Sequence, residues 1–157
     1  MHKKVKLKNS RGQSLFEILL ALAVSTLIIV GVVSLGANTV RDATFSKNQA
    51  LAAGYAQEVL DWLRYERDKG FDDFKTKAAV SPSLITWCIS VSPPTWPGTS
   101  GACGATTITG TIFTREIDLT RTNSDKVVEA QVRVSWTDSQ GTHVVNASTK
   151  FSDWRVL

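Results

Sequence analysis

From Ile18 to Ala37 the chain carries no charged side chain, and its apolar residues fill every face of a helix rather than one. At ~1.5 Å per residue a helix of that length spans ~30 Å, the hydrocarbon thickness of a bilayer. Further on the pattern becomes amphipathic. Phe45, Ala52, Tyr55, Ala56, Val59 and Leu63 fall on one stripe at ~100° per residue, with Gln57, Asp61, Arg64 and Asp68 opposite. No proline precedes Pro82, and Arg67, Lys69 and Gly70 place cations in a last turn with a glycine beyond it. The pattern predicts one helix over 13–69, ~85 Å long. Its first part, 13–37, is apolar all round and has no globular partner; its continuation, 38–69, has one stripe that needs a partner.

The rest of the chain changes period. Ile85, Trp87, Ile89 and Val91 alternate with smaller or polar residues, and Phe113, Ile117 and Leu119 do the same, with Arg115 expected to break that face. The clearest strand runs from Val128 to Trp136, apolar at even positions and polar at odd ones, as a half-buried antiparallel strand requires. Thr122 to Asp125 reads as the preceding turn and Asp138 to Gly141 as the following one; Val145, Ala147, Thr149 and Phe151 continue the alternation. Residues 70–157 are therefore expected to form a small antiparallel sheet laid on the helix stripe, an α+β arrangement, with a Pro/Gly surface loop at 92–102.

Length and charge narrow the function. A chain of 157 residues suits one modest domain with an appendage. The formal charge of +4 is concentrated in Lys3, Lys4, Lys6, Lys8 and Arg11, within a twelve-residue leader that has no acid. From Gln13 onward thirteen basic side chains face fourteen acidic ones, a net charge of −1. Nothing supports a broad basic surface, and no nucleic-acid partner is expected. Cations before the apolar run and near-neutral sequence after it predict a single membrane pass, N-terminus inside and C-terminus outside.

Three readings of the N-terminus compete: a cleaved secretory signal, a signal anchor that stays whole, and a cut after Gly12. The apolar run is long for a secretory signal, whose apolar core is usually ~7–15 residues. Neither of the first two readings accounts for Glu17. An acid at the edge of an apolar helix is disfavoured, and such acids usually have a partner. A cut after Gly12 removes five cations and creates an α-amine on Gln13, four residues before Glu17. In a bundle of such helices that amine, on the same or a neighbouring chain, is the nearest counter-charge for the buried carboxylate.

The run Arg11-Gly12-Gln13-Ser14-Leu15-Phe16-Glu17, followed by Ile18-Leu19-Leu20-Ala21-Leu22-Ala23-Val24, resembles the class III signal of type IV pilins and type II secretion pseudopilins. The resemblance covers about thirty residues, and the C-terminal strand pattern resembles the minor subunits of that family less specifically. It implies a leader, 1–12, removed after Gly12 by a prepilin peptidase that also N-methylates the new amine. Gln13 stands where the family usually has Phe or Met. It implies that Glu17 pairs with the N-terminus of an adjacent subunit during assembly. The expected partners are other pilin or pseudopilin subunits, with an assembly platform and ATPase acting indirectly. The expected location is the cytoplasmic membrane, then a periplasmic or cell-surface filament. The alternative is a membrane-anchored binding module for adhesion or DNA uptake; an anchored enzyme is a third reading.

Cys88 and Cys103 flank the 92–102 loop. In an exported domain the pair reads as a disulfide, in a reduced one as two free thiols. No enzyme activity, cofactor or metal is expected: two Cys and one His outside the leader match no common zinc spacing. His143 reads as a solvated strand residue, Asp72-Asp73 as a solvated acidic turn, and the Asn146-Ala147-Ser148 sequon as chance. Trp62 reads as either core or subunit contact, and Trp96 as either loop packing or partner contact.

Overall fold

The computed structural model describes residues 14–122, 124–153 and 155. In chain order its elements are α1 (Ser14–Lys69), α2 (Phe71–Lys75), β1 (Ala79–Val80), β2 (Ile85–Cys88), β3 (Thr114–Arg121), β4 (Val127–Asp138) and β5 (Gly141–Ser152). The fold is α+β. Two compact units divide the chain, 1–45 and 46–157, so α1 contributes to both.

In the first unit the described residues are all helical, and their large apolar side chains are exposed from Leu15 to Val40. In the second unit, hereafter the sheet domain, the amphipathic part of α1 lies on the sheet. Ala52, Ala56, Val59, Leu60 and Leu63 are buried, which bears out four residues of the expected stripe and adds Leu60, while Phe45 and Tyr55 are half-buried. The helix stops where the cations and glycine predict. Gly70 takes an extended backbone, donates its N–H back to Glu66 O at 3.4 Å and opens the short helix α2. Phe71 and Phe74 of α2 point into the core, and the Phe74 ring meets Phe151 edge-on with centroids 5.4 Å apart.

Among the described residues the sheet has five strands, in the order β1-β3-β4-β5 with β2 also on β3. It is antiparallel except for the two-residue β1, which runs parallel to β3. β3 and β4 are the interior strands, and β4 lies between β3 and β5. Its even positions from Val128 to Trp136 are buried, as the alternation predicts, because the helix covers that face. β3 departs from expectation at one position. Arg115 does not break the inward face but occupies it, fully buried between Phe113 and Ile117.

Candidate functional site

The processing residues Gly12 and Gln13 lie outside the described residues. Glu17 stands in the first turn of α1 with its side chain exposed. A carboxylate there is favoured by the partial positive charge of the helix N-terminus. Around it Leu15 is 73% exposed and Phe16 76%, and the same exposure continues through Leu35 at 68%. Three threonine hydroxyls of this helix are satisfied by its own backbone. Thr26, Thr39 and Thr44 donate to the carbonyls of Ala23, Leu35 and Val40 at 2.8–2.9 Å. Back-bonded hydroxyls need no water, so they do not oppose burial of this stretch in an apolar surrounding. The helix is long and apolar enough to cross a membrane.

In the sheet domain, Cys88 and Cys103 form the disulfide, closing a separation of fifteen residues. The loop it closes is fastened at further points. Gly101 N–H donates to Thr86 O at 2.8 Å. Trp96 Nε1–H donates to Glu66 Oε2 at 2.8 Å, and its ring packs against Trp62 and Trp87 with centroids 4.7 and 5.3 Å away. Lys77 Nζ sits over the Trp87 and Trp96 rings, 5.8 and 5.6 Å from their centroids. Trp62 and Trp96 are thus joined to each other within the domain, half-buried.

Arg115 makes a connection that the sequence reading missed. Its Nη1 donates to Glu58 Oε2 at 2.7 Å and to Tyr55 O at 3.3 Å; its Nη2 donates to Val91 O at 2.6 Å and its Nε to Ile89 O at 3.3 Å. Glu58 also accepts from Ser92 Oγ at 2.5 Å. One guanidinium therefore joins α1, β3 and the segment after β2. Burial pushes Arg115 below the usual arginine range, while the Glu58 carboxylate opposes that shift. A fully buried guanidinium is tolerated only where its donors find acceptors, and here carbonyls and a carboxylate supply them.

On the outer face of the sheet Arg133 bridges Glu116 at 2.9 Å and Asp118 at 3.3 Å. Burial raises the Glu116 carboxyl, but the Cys103 N–H and Arg133 outweigh it and leave the group below the usual carboxylate range. Beside this pair a cleft of about 540 Å³ is lined by Leu84, Thr120, Glu129, Gln131 and Lys150. Its charges are matched locally, Lys150 Nζ lying 2.6 Å from Glu129. Asp72 pairs with Lys75 at 2.7 Å across the turns of α2. His143 is half-buried rather than solvated: it stacks on Trp136 at 5.1 Å and lies 3.0 Å from Asp138 Oδ1. Among the described residues no group of His, Cys, Asp and Glu side chains is placed to hold a metal ion.

Neither a protein-family model, nor a curated protein, nor a solved structure matches this chain.

Proposed function

We propose that this chain is the precursor of a structural, non-catalytic filament subunit of the type IV pilin or pseudopilin kind, a minor subunit rather than the bulk one. A prepilin peptidase removes 1–12 after Gly12, leaving Gln13 as the N-terminus. The first half of α1 holds the subunit in the cytoplasmic membrane, N-terminus inside, until it enters a filament, where the same surface packs against other subunits. Glu17 docks on the amine of a neighbour, and the disulfide-bonded sheet domain faces outward in the periplasm or at the cell surface. The observation that carries this reading is the co-occurrence of Gly12, Glu17 and an apolar helix exposed on all sides, running without interruption into a folded domain.

The test is processing. Expressed with a prepilin peptidase, the chain is expected to lose the mass of residues 1–12, and Gly12→Leu to keep it. An unchanged N-terminus on the native chain, read by mass spectrometry, sinks the reading. Glu17→Leu is expected to leave membrane insertion intact and to deplete the subunit from sheared filament fractions; normal incorporation counts against charge pairing.

A further inference from the structure

A second cleft of the sheet domain, about 230 Å³, lies where α1 ends, and Glu66, Lys69, Asp73, Lys77 and Trp96 line it. Its walls are held in place. Lys69 Nζ lies 3.1 Å from Glu66 Oε1, and Glu66 Oε2 takes the Trp96 N–H at 2.8 Å. Trp96 sits in the loop that the disulfide closes, its ring packed on Trp62 and Trp87. Phe74 N–H donates to Gly70 O at 3.0 Å and ties α2 to the end of α1. The cleft is thus formed before any ligand arrives, as small-molecule sites usually are.

Two of its charges are spent on neither the fold nor each other. Asp73 and Lys77 are four residues apart and the chain is still turning between them: Thr76 N–H bonds Asp73 O at 3.2 Å and Lys77 N–H bonds Phe74 O at 3.0 Å. At that spacing an acid and a lysine ordinarily pair, and Asp72 and Lys75 beside them do, at 2.7 Å. No ion pair joins Asp73 to Lys77. The Lys77 ammonium lies over the Trp87 and Trp96 rings instead. Among the described residues no ion pair or hydrogen bond reaches that ammonium or the Asp73 carboxylate. One strong acceptor and one strong donor therefore line the same cleft beside an indole.

These groups narrow the ligand. Two lysines and two acids leave the lining neutral. A cation would meet Lys77 already seated over the indoles that attract cations, and an anion would meet Glu66 and Asp73. The cleft is also smaller than the ~300–1,000 Å³ of drug-sized sites. What fits is small and neutral, carries donors and acceptors together, and has an apolar side for the indole. We propose that this cleft binds one neutral pyranose ring. Sugar hydroxyls both donate and accept, so they bond the Asp73 carboxylate and the Lys77 ammonium at once, and the C–H side of the ring lies against Trp96. The cleft belongs to the sheet domain alone, so the proposal does not rest on the filament reading.

The experiment uses the full chain in a polyoxyethylene detergent, which carries no sugar, and follows the indole N–H resonances. The probes are methyl β-glucoside, methyl β-galactoside and methyl α-mannoside, each to ~50 mM, because a ligand of that size is held at about millimolar strength. At least one is expected to shift the Trp96 signal saturably while Trp136, on β4, stays still. Lys77→Met keeps an apolar stem on the rings and removes the ammonium; Asp73→Asn keeps the shape and removes the charge. Both variants are expected to keep the unfolding midpoint and to weaken the sugar ~10-fold. A linear trisaccharide of the sugar that binds separates the sources: binding at least as tight makes the ligand part of a glycan chain, and exclusion makes it a free sugar. No saturable shift with any of the glycosides overturns the proposal, as does undiminished binding by the folded double variant. N-acetylglycinamide, which offers amide donors and acceptors but no pyranose, is expected not to bind; binding equal to the sugar makes a peptide the occupant and overturns the choice of ligand. The N-terminal mass of the same sample is read separately, so an untrimmed chain that still binds sugar defeats the filament reading alone.

Discussion

Residues 15–40 and 52–63 of α1 belong to one continuous helix and draw on the same apolar side chains, yet their surroundings differ. In the first stretch Leu27 is 73% exposed and Val30 67%; in the second Val59 and Leu63 are fully buried. The difference lies in what stands opposite each leucine or valine. Burial of apolar area is worth ~25 cal/mol per Å², so the second stretch is stabilised by the sheet beneath it, while the first keeps its whole apolar surface for whatever medium or neighbour receives it. Helical hydrogen bonding holds both stretches in shape. The stretches therefore divide two tasks: the second folds the domain, and the first leaves its apolar surface uncovered by the chain itself.

The comparison is broken most severely at the polar joint of the second stretch. Arg115→Ala removes the guanidinium that bonds Glu58 and the carbonyls of Tyr55, Ile89 and Val91. Removing one partner of a buried ion pair costs ~3–5 kcal/mol, and that loss is expected in denaturant unfolding of the sheet domain followed by Trp fluorescence. A loss below ~1 kcal/mol would mean that water replaces the guanidinium at little cost. The next largest effect sets leucine against leucine. Leu63→Ala is expected to destabilise the sheet domain by ~2–5 kcal/mol, and Leu27→Ala by less than ~0.5 kcal/mol in the same assay. Equal losses would erase the division of tasks.

That division was legible in the sequence, because hydrophobic period is a local signal. The switch at the end of the apolar run, the stop at Gly70 and the even positions of β4 all follow from residues close together along the chain. The disulfide was legible once two cysteines were read in a domain expected to be exported. Arg115 was not. A cation inside an alternating row reads as a break, and its partner Glu58 lies 57 residues away on the helix. One signal was available: Glu58 is an acid that adjoins the apolar stripe instead of lying opposite it, and Arg115 is a cation in an inward row. Two misplaced opposite charges are a candidate pair. The clustering of Trp62, Trp87 and Trp96 depends on loop closure, which periodicity does not carry, and α2 and β1 are too short to show a period. Of the candidate site, Glu17 and the apolar helix were visible in the pattern.

The smallest expected effect concerns acids, and it separates the same two regions. Glu17 stands exposed near the tip of the apolar stretch. Glu116 accepts the Cys103 N–H at 2.8 Å and Arg133 at 2.9 Å. Burial raises the Glu116 carboxyl, but those two donors outweigh it and hold the group below the usual carboxylate range. A carboxylate with a depressed folded-state pKa stabilises the fold above its unfolded value, ~4.3, and that contribution is lost as pH falls through the folded value. Unfolding midpoints of the sheet domain are therefore expected to drop between neutral pH and pH ~3, and to drop less in Glu116→Gln, whose amide cannot titrate. Glu17→Gln is expected to leave the profile of the sheet domain unchanged, since its carboxylate belongs to the other unit. If Glu17→Gln flattened the profile and Glu116→Gln did not, the acid sensitivity of the fold would lie in the helix tip, and the two stretches of α1 would be coupled rather than divided.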